Sequence, residues 1–149
     1  MSPEAYTEYL HRHIPLTAAM QLRVLHSGGD GIELVAPLAP NRNHRDTAFG
    51  GSLATLGIVS GWALLQQGLR QEGLDARIVV QKSECEFLEP ADAEFSAESR
   101  LPAQDWPRFL ATLRKRGRAR ITVHSVLRCA GHDVVQHSGT FVALAGEAR

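Results

Sequence analysis

The chain has 149 residues, with 16 basic and 16 acidic side chains and a formal net charge of zero. This length predicts one domain, residues 1–149, large enough to bury a full core. The neutral balance removes the electrostatic argument for nucleic acid as a partner. The N-terminus has no basic segment followed by an apolar one, and the longest uncharged run, Thr47 to Leu69, is interrupted by Gly, Ser, Thr and Gln. We therefore expect a cytoplasmic protein without a membrane span.

Cysteine and histidine spacing argues against a metal centre. Cys85 and Cys129 lie far apart and match no metal-ligand spacing, so we expect two reduced, packed thiols. Five histidines show no ligand clustering either: His11, His13, His124, His132 and His137. The sequence predicts neither a metal nor a cofactor.

The first elements are a helix and a hairpin. Ser2-Pro3 supplies an N-cap and a first-turn proline for a helix over Glu4 to Arg12, which Ile14-Pro15 ends. Apolar and polar residues then alternate over Met20 to Val24 and over Ile32 to Ala36. Such alternation indicates two antiparallel strands, joined through residues 27–31.

A long helix is predicted from Gly50 to about Gln71, after a loop over Pro37 to Asp46. The segment from Leu53 to Leu65 carries no charge and is rich in Ala, Gly and Ser. A helix that is apolar on every side must be covered on most sides, and its small residues allow neighbouring backbone to come close. In a small domain a curved sheet is the natural cover.

The remaining sequence supplies four more strands, predicted over Ala76–Leu88, Ala93–Arg100, Arg118–Cys129 and Val134–Leu144. One helical excursion, Trp106 to Leu113, is closed by Gly117. These strands lack the repeated helical crossovers of a parallel array, so the predicted class is α+β with an antiparallel sheet. An open sheet leaves an edge that must be paired or covered, and the Ala76–Leu88 strand is our candidate for it. We therefore expect a homodimer or higher homo-oligomer.

The start of the long helix is the candidate functional site. Backbone N–H groups at Gly50 and Gly51, together with the helix dipole, suit an anion or a developing oxyanion; the alternative is that these glycines only permit a tight helix entry. Nearby polar side chains are Asn43, Asp46 and Ser52, together with His44. Asp46 could act as a base or only complement the dipole, Ser52 could orient water or cap the helix, and His44 could be a base or solvent-exposed.

Several short motifs, in this order and spacing, resemble those of the hotdog-fold thioesterases, and specifically the thioesterase domain at the C-terminus of YiiD-type proteins. The resemblance covers about Leu16 to Leu144. The matching motifs are Asn41-x-Asn43, Thr47-x-Phe49-x-Gly51-Ser52, Gly61-Trp62, Phe87-Leu88-x-Pro90 and Gly117-Arg118-x-Arg120-Ile121.

The resemblance implies a sheet of about six antiparallel strands wrapped around the long helix, subunits paired edge to edge, and acyl thioester sites at the dimer interface. Related phenylacetate-pathway thioesterases carry His-Gly-Gly at the helix start and a carboxylate further inside the helix. This chain has Phe49 and Ile58 at those two positions. The acid-base pair is therefore not carried over.

The predicted function is hydrolysis of acyl-CoA or acyl-carrier-protein thioesters. Catalysis is assigned to Asn43, Asp46 and Ser52, and the thioester oxygen and acyl group to Thr47, Phe49, Gly50, Gly51 and Ser83. Ser83 lies on a strand face shared with Cys85 and Phe87 and could reach the partner's site; the alternative is that it is an ordinary sheet residue. The basic run contributes Arg116, Arg118 and Arg120 for the phosphates of the carrier; a solvated surface loop is the alternative.

Two other functions remain open at this point. A non-catalytic acyl-thioester-binding or assembly module of the same fold would bind the ligand without turnover. A hydratase or dehydratase would need a placed His and acid pair, which the sequence does not display.

Overall fold

The computed structural model describes residues 1–146, which form one α+β unit of four α-helices, one short 3-10 helix (Ala39–Asn41) and six strands. The helices are α1 (Pro3–His13), α2 (Pro15–Ala19), α3 (Gly50–Gln71) and α4 (Trp106–Arg116). The strands are β1 (Arg23–Gly28), β2 (Gly31–Ala36), β3 (Ala76–Phe87), β4 (Phe95–Arg100), β5 (Arg118–Cys129) and β6 (His132–Ala145). All pairings are antiparallel, in the order β1-β2-β4-β5-β6-β3. The predicted fold class is confirmed.

Helix α3 lies against the sheet and forms the centre of the core. Its glycines allow the close approach that the sequence predicts. A Cβ at Gly57 would lie 2.7 Å from Cγ of His137, and one at Gly61 would lie 2.8 Å from the Phe141 ring, so only glycine fits at this spacing. The core on either side is apolar, with Leu56 and Leu64 fully buried. No helix within residues 1–146 is long and apolar enough to cross a membrane.

Strands β5 and β6 alternate between buried and exposed residues, as a sheet with one covered face requires. Strand β3 differs, because it pairs only with β6 and is exposed along most of its length. A bulge between Val80 and Lys82 shifts its register. Beyond the bulge, Ser83 and Cys85 pair with Gly139 and His137 of β6, so their side chains lie on the α3 face of the sheet.

Several boundaries differ from the sequence-based expectations. Met20 ends α2, a short helix that was not predicted, and β1 begins only at Arg23. The β1–β2 turn is tighter than five residues, because Gly28 already pairs with Gly31. The basic run, for which a solvated surface loop was the alternative to phosphate binding, belongs to regular elements: α4 continues to Arg116, Gly117 caps it with φ +73°, and Arg118 begins β5.

Candidate active site at the start of helix α3

The loop before α3 is fastened to the rest of the fold by Asn41. This side chain is 2% exposed, and its Nδ2 donates to the carbonyls of Met20 (3.0 Å) and Pro37 (2.8 Å). Its own carbonyl accepts from the N–H of Phe49 at 2.7 Å, and the N–H of Ala48 donates to Ala91 at 2.7 Å. The entry to α3 is therefore held from two sides.

Asn43 shapes the turn itself. Its Oδ1 accepts from the N–H groups of Arg45 (2.8 Å) and Thr47 (3.2 Å), and its Nδ2 donates to Oγ1 of Thr47 at 2.9 Å. These bonds use the side-chain amide locally, in the manner of an Asx turn. Asn43 and Thr47, which the sequence analysis named for different roles, are thus hydrogen-bonded to each other.

Asp46 and His44 lie on the outside of this turn. Asp46 has φ +62°, a left-handed conformation that aspartate tolerates, and its side chain is 81% exposed. Its carboxylate lies 3.6 Å from Nη1 of Arg42, an exposed ion pair worth little. His44 is exposed, and Ser52 is half-buried on the first turn of α3.

Two backbone donors remain available at the helix start. The N–H groups of Ser52 and Leu53 both donate to the carbonyl of Phe49, at 2.9 and 3.1 Å. The N–H groups of Gly50 and Gly51 have no acceptor within residues 1–146. They are the first N–H groups of a 22-residue helix, so its dipole adds positive potential to both.

Exposed phenyl rings flank these donors. Phe49 is 57% exposed and lies against Gly51, where a Cβ would come within 2.4 Å of its ring. Phe87, at the end of β3, is 55% exposed, and its ring lies 3.7 Å from the position of a Cβ on Gly50. An apolar surface thus surrounds a pair of free donors, which suits the carbonyl of an acyl group.

Ser83, further along β3, has a partner that the sequence did not suggest. Its Oγ lies 2.8 Å from Nε2 of His137 on β6. His137 is 2% exposed, and its Nδ1 has no hydrogen-bond partner. Burial, and secondarily the charge of His124, lowers the pKa of His137. The ring is therefore neutral near pH 7 and can accept the serine proton.

A basic groove lies on the outer face of the sheet. It has a volume of about 390 Å³ and is lined by Gln81, Thr112, Arg116, Arg118, Ala119, Arg120 and Val142. The predicted trio Arg116, Arg118 and Arg120 is thus brought together. None of the three forms an ion pair with a carboxylate of residues 1–146. Arg120 donates only to Oε1 of Gln81, at 3.4 Å.

Together the curved antiparallel sheet and the buried helix define the hotdog class of α+β proteins. The family described as "Putative thioesterase (yiiD_Cterm)" matches residues 4–145. The chain belongs to this family.

Solved structures share this fold. One from Shewanella oneidensis, described as a putative thioesterase, is 25% identical with a TM-score of 0.87, covering 95% of this chain and 96% of that chain. A protein of unknown function from Chlorobaculum tepidum is 23% identical with a TM-score of 0.89, over 95% and 96% of the two chains. A thioesterase from Haemophilus influenzae shares the fold at 14% identity and a TM-score of 0.70, over 100% and 94%.

The site residues named from sequence thus fall into three places: the helix start, the edge strand, and the basic groove. Sequence reasoning missed His137 as the partner of Ser83. A signal was present in the alternation of β6, because His137 lies on the same face of the strand as the buried Val135 and Gly139. A histidine on a buried strand face is a candidate for a specific polar contact.

Proposed function

We propose that the protein hydrolyses acyl-CoA or acyl-carrier-protein thioesters as a homodimer in the cytoplasm. The observation that carries this proposal is the free N–H pair of Gly50 and Gly51 between two exposed phenyl rings. Backbone N–H groups without an acceptor at the start of a helix can donate to the oxyanion that forms when a thioester carbonyl is attacked. The phenyl rings supply apolar contact for the acyl chain.

The open edge of the sheet supports the dimer. At the other edge, β1 is covered by α1: Thr7 accepts from the N–H of Val24 at 2.8 Å, and the His11 ring bonds the carbonyl of Leu22 at 2.7 Å. Strand β3 has no such cover within residues 1–146, and it exposes Val79 (44%) and Val80 (42%). A long exposed apolar edge strand invites pairing with a second copy.

Two-fold pairing of β3 also supports a shared site. Arg118 and Arg77 both pair with Leu144, so Arg118 lies level with Arg77, at the opposite end of β3 from Phe87. Within one subunit, ten residues of strand separate Arg118 from the helix start, roughly 33 Å. Antiparallel pairing reverses the partner strand and brings the groove toward the partner's Phe87. The carrier phosphates would then bind one subunit while the acyl group binds the other.

The direct test measures release of free thiol from CoA thioesters of graded acyl length. Gly51→Val places a side chain where the Phe49 ring lies and should lower binding and turnover together. Charge reversal at Arg116 and Arg118 should raise KM with little change in kcat, because phosphate contacts are equal in the ground and transition states. Charge reversal at Arg12, outside the groove, is the matched control. No thiol release from any thioester would contradict the proposal.

Within this proposal, Asn43, Asp46 and Ser52 keep their predicted roles at the helix start, and Asp46 is the sharpest to test. Asp46→Asn keeps the left-handed turn, which asparagine also tolerates, and removes only the charge. A role as base requires turnover to fall at least about a hundredfold. Unchanged turnover would leave Asp46 as a surface turn residue.

A binding module is the second candidate. The exposure of Asp46 and the local engagement of the Asn43 amide favour it, since neither group is held against the free donors. It predicts that a CoA thioester binds at Gly50 and Gly51 without being hydrolysed. Calorimetry with an acyl-CoA, run beside the thiol-release assay, separates the two functions.

A further inference from the structure

A second hollow continues the basic groove along α4. It has a volume of about 210 Å³ and is lined by Asp105, Arg108, Arg120, Ile121 and Thr122. Arg120 lines both spaces, so the groove and the hollow adjoin at this side chain. Together they form one space between α4 and β5, which we call the α4–β5 trench.

The two walls of the trench follow from the secondary structure. Strand β4 pairs with β5 only from Ser125 onward, and α4 lies beside the first half of β5. The helix contributes residues four apart, which share one helix face: Arg108, Thr112 and Arg116. The strand contributes alternate residues, which share the outer face of the sheet: Arg118, Arg120 and Thr122. Slightly more than two helical turns separate Arg108 from Arg116, so the trench is about 12 Å long.

Four guanidinium groups border the trench, and they are available to bind anions. Three of them have no carboxylate partner among residues 1–146, as described above. The fourth, Arg108, has Asp105 at 3.9 Å, and its side chain is 80% exposed. A contact that is long and exposed stabilises little and leaves the donors of Arg108 free. The trench therefore offers more positive charge than a single phosphodiester group requires.

The shape of the trench favours a small molecule over a protein surface. Its cations line a concave space, which a nucleotide can enter and the outer surface of a folded carrier protein cannot. CoA differs from the arm of a carrier protein by its nucleotide, an adenosine with a diphosphate on the 5′ oxygen and a further phosphate on the 3′ oxygen. One ribose ring separates these two anionic groups. Guanidinium groups likewise lie at both ends of the trench.

We propose that the α4–β5 trench binds the nucleotide of CoA, which makes CoA, and not a carrier protein, the carrier of the acyl group; this rests on the proposed function. The diphosphate lies at Arg116 and Arg118, and the 3′-phosphate lies between Arg108 and Arg120. This order agrees with the position of the β3 edge. The groove includes Gln81 of β3, whereas the hollow includes no residue of β3 or β6. The pantetheine arm therefore leaves the trench at the end nearer to the expected shared site.

Calorimetry with S-alkyl thioethers of CoA and of 3′-dephospho-CoA tests the proposal, because a thioether is not hydrolysed and binding is measured without turnover. We expect the wild-type protein to bind the CoA thioether at least about tenfold more tightly, since the 3′-phosphate adds charge-assisted hydrogen bonds. Arg108→Gln should remove most of this difference by weakening only the binding of the CoA thioether. Arg12→Gln neutralises an exposed arginine outside the trench and should leave both affinities unchanged. Circular dichroism confirms that each variant is folded.

Equal affinities of the wild-type protein for the two thioethers would overturn the inference, and so would an Arg108→Gln variant that binds both as the wild-type protein does. A kcat/KM that is higher for a carrier-protein thioester than for the CoA thioester of the same acyl group would also overturn it, while leaving the proposed function standing. If the 3′-phosphate strengthens binding through Arg108 and no thioester is hydrolysed, the trench is established as a CoA site and the proposed hydrolysis fails.

Discussion

At the residue scale, the polar side chains near the site divide into those that build it and those that face solvent. The side-chain amides of Asn41 and Asn43 form hydrogen bonds that hold the loop before α3. Asp46 points outward. Ser83 and His137 contact each other beside α3. The hydrogen bonds therefore separate residues that hold the loop from residues that face solvent, a difference that the sequence analysis did not make.

Asn43→Ala should lower the free energy of unfolding by about 1–3 kcal/mol, because it removes the acceptor of two backbone N–H groups and the donor to Thr47. Asp46→Asn, three residues away, should change it by less than about 0.5 kcal/mol. Urea denaturation at pH 7 measures both. Equal effects would show that the Asn43 bonds do not hold the turn.

His137 predicts a pH dependence of stability. Burial lowers its pKa in the folded state below the ordinary 6.5, so the unfolded chain takes up a proton first as pH falls. The free energy of unfolding should be unaffected by this group above about pH 6.5 and should decrease as pH falls below 6.5 toward the folded-state pKa. The titratable neighbours are Cys85 on β3 and His124 on β5, and α3 carries no ionisable residue before Arg70.

Urea titrations at pH 7.5, 6.5 and 5.5 check this prediction. His137→Gln should have a shallower decrease than the wild-type protein, whereas His44→Gln, on the exposed loop, should match the wild-type curve. An identical pH dependence in His137→Gln and the wild-type protein would contradict it.

At the scale of elements, the glycines of α3 set how close the helix lies to the sheet. Gly57 and Gly61 face His137 and Phe141, each at a distance that excludes a methyl group. Glycine costs helix stability relative to alanine, by about 1 kcal/mol. The presence of glycine at both positions is therefore explained by the close packing of α3 against the sheet and not by helix propensity.

Gly57→Ala should destabilise the protein by about 1–3 kcal/mol despite the better helix propensity, because the new Cβ meets the buried His137 ring. It should also displace that ring from Ser83. Gly50→Ala is the matched control for stability, since its Cβ would meet only the Phe87 ring at 3.7 Å, an ordinary contact. Thermal denaturation compares the two. A stabilised Gly57→Ala would show that the helix can move away from β6.

At the scale of the whole molecule, the two edges of the sheet differ in how far they are covered. Side chains of α1 satisfy backbone groups beside β1, and β3 is left exposed with valines and Phe87 along it. The asymmetry explains why one edge is expected to assemble and the other is not.

Sedimentation should therefore give a mass of at least twice 16.3 kDa at micromolar concentration. Val79→Asp should shift the protein toward monomer, because the two-fold axis brings two carboxylates close together at an apolar contact. Leu25→Asp makes the same change at the β1 edge, where Leu25 is 51% exposed, and should leave assembly intact. A wild-type monomer would contradict both the dimer and the shared site.

Much of the architecture follows from sequence because it depends on local periodicity. The uncharged stretch after Gly50 predicts α3 with both of its ends, and alternation predicts β5 over the same residues that the structure gives. The short helix α2 was missed because five residues that begin at Pro15 and end just before a strand carry too little periodic signal. The end of α4 was misplaced because a basic last turn, favourable for a helix C-terminus, looks like a solvated loop.

By itself the sequence determined the class of fold and the family resemblance, and it predicted the helix start as a donor site, since each depends on residues close together in the chain. Only the tertiary structure decided which side chains meet. Ser83 and His137 are 54 residues apart, and they touch because a bulge resets the phase of β3 and a glycine in α3 leaves room for a ring. The same holds for the basic groove, where a helix end and a strand are joined by a left-handed glycine. Contacts of this kind depend on strand register and on the space between helix and sheet, which no local pattern encodes.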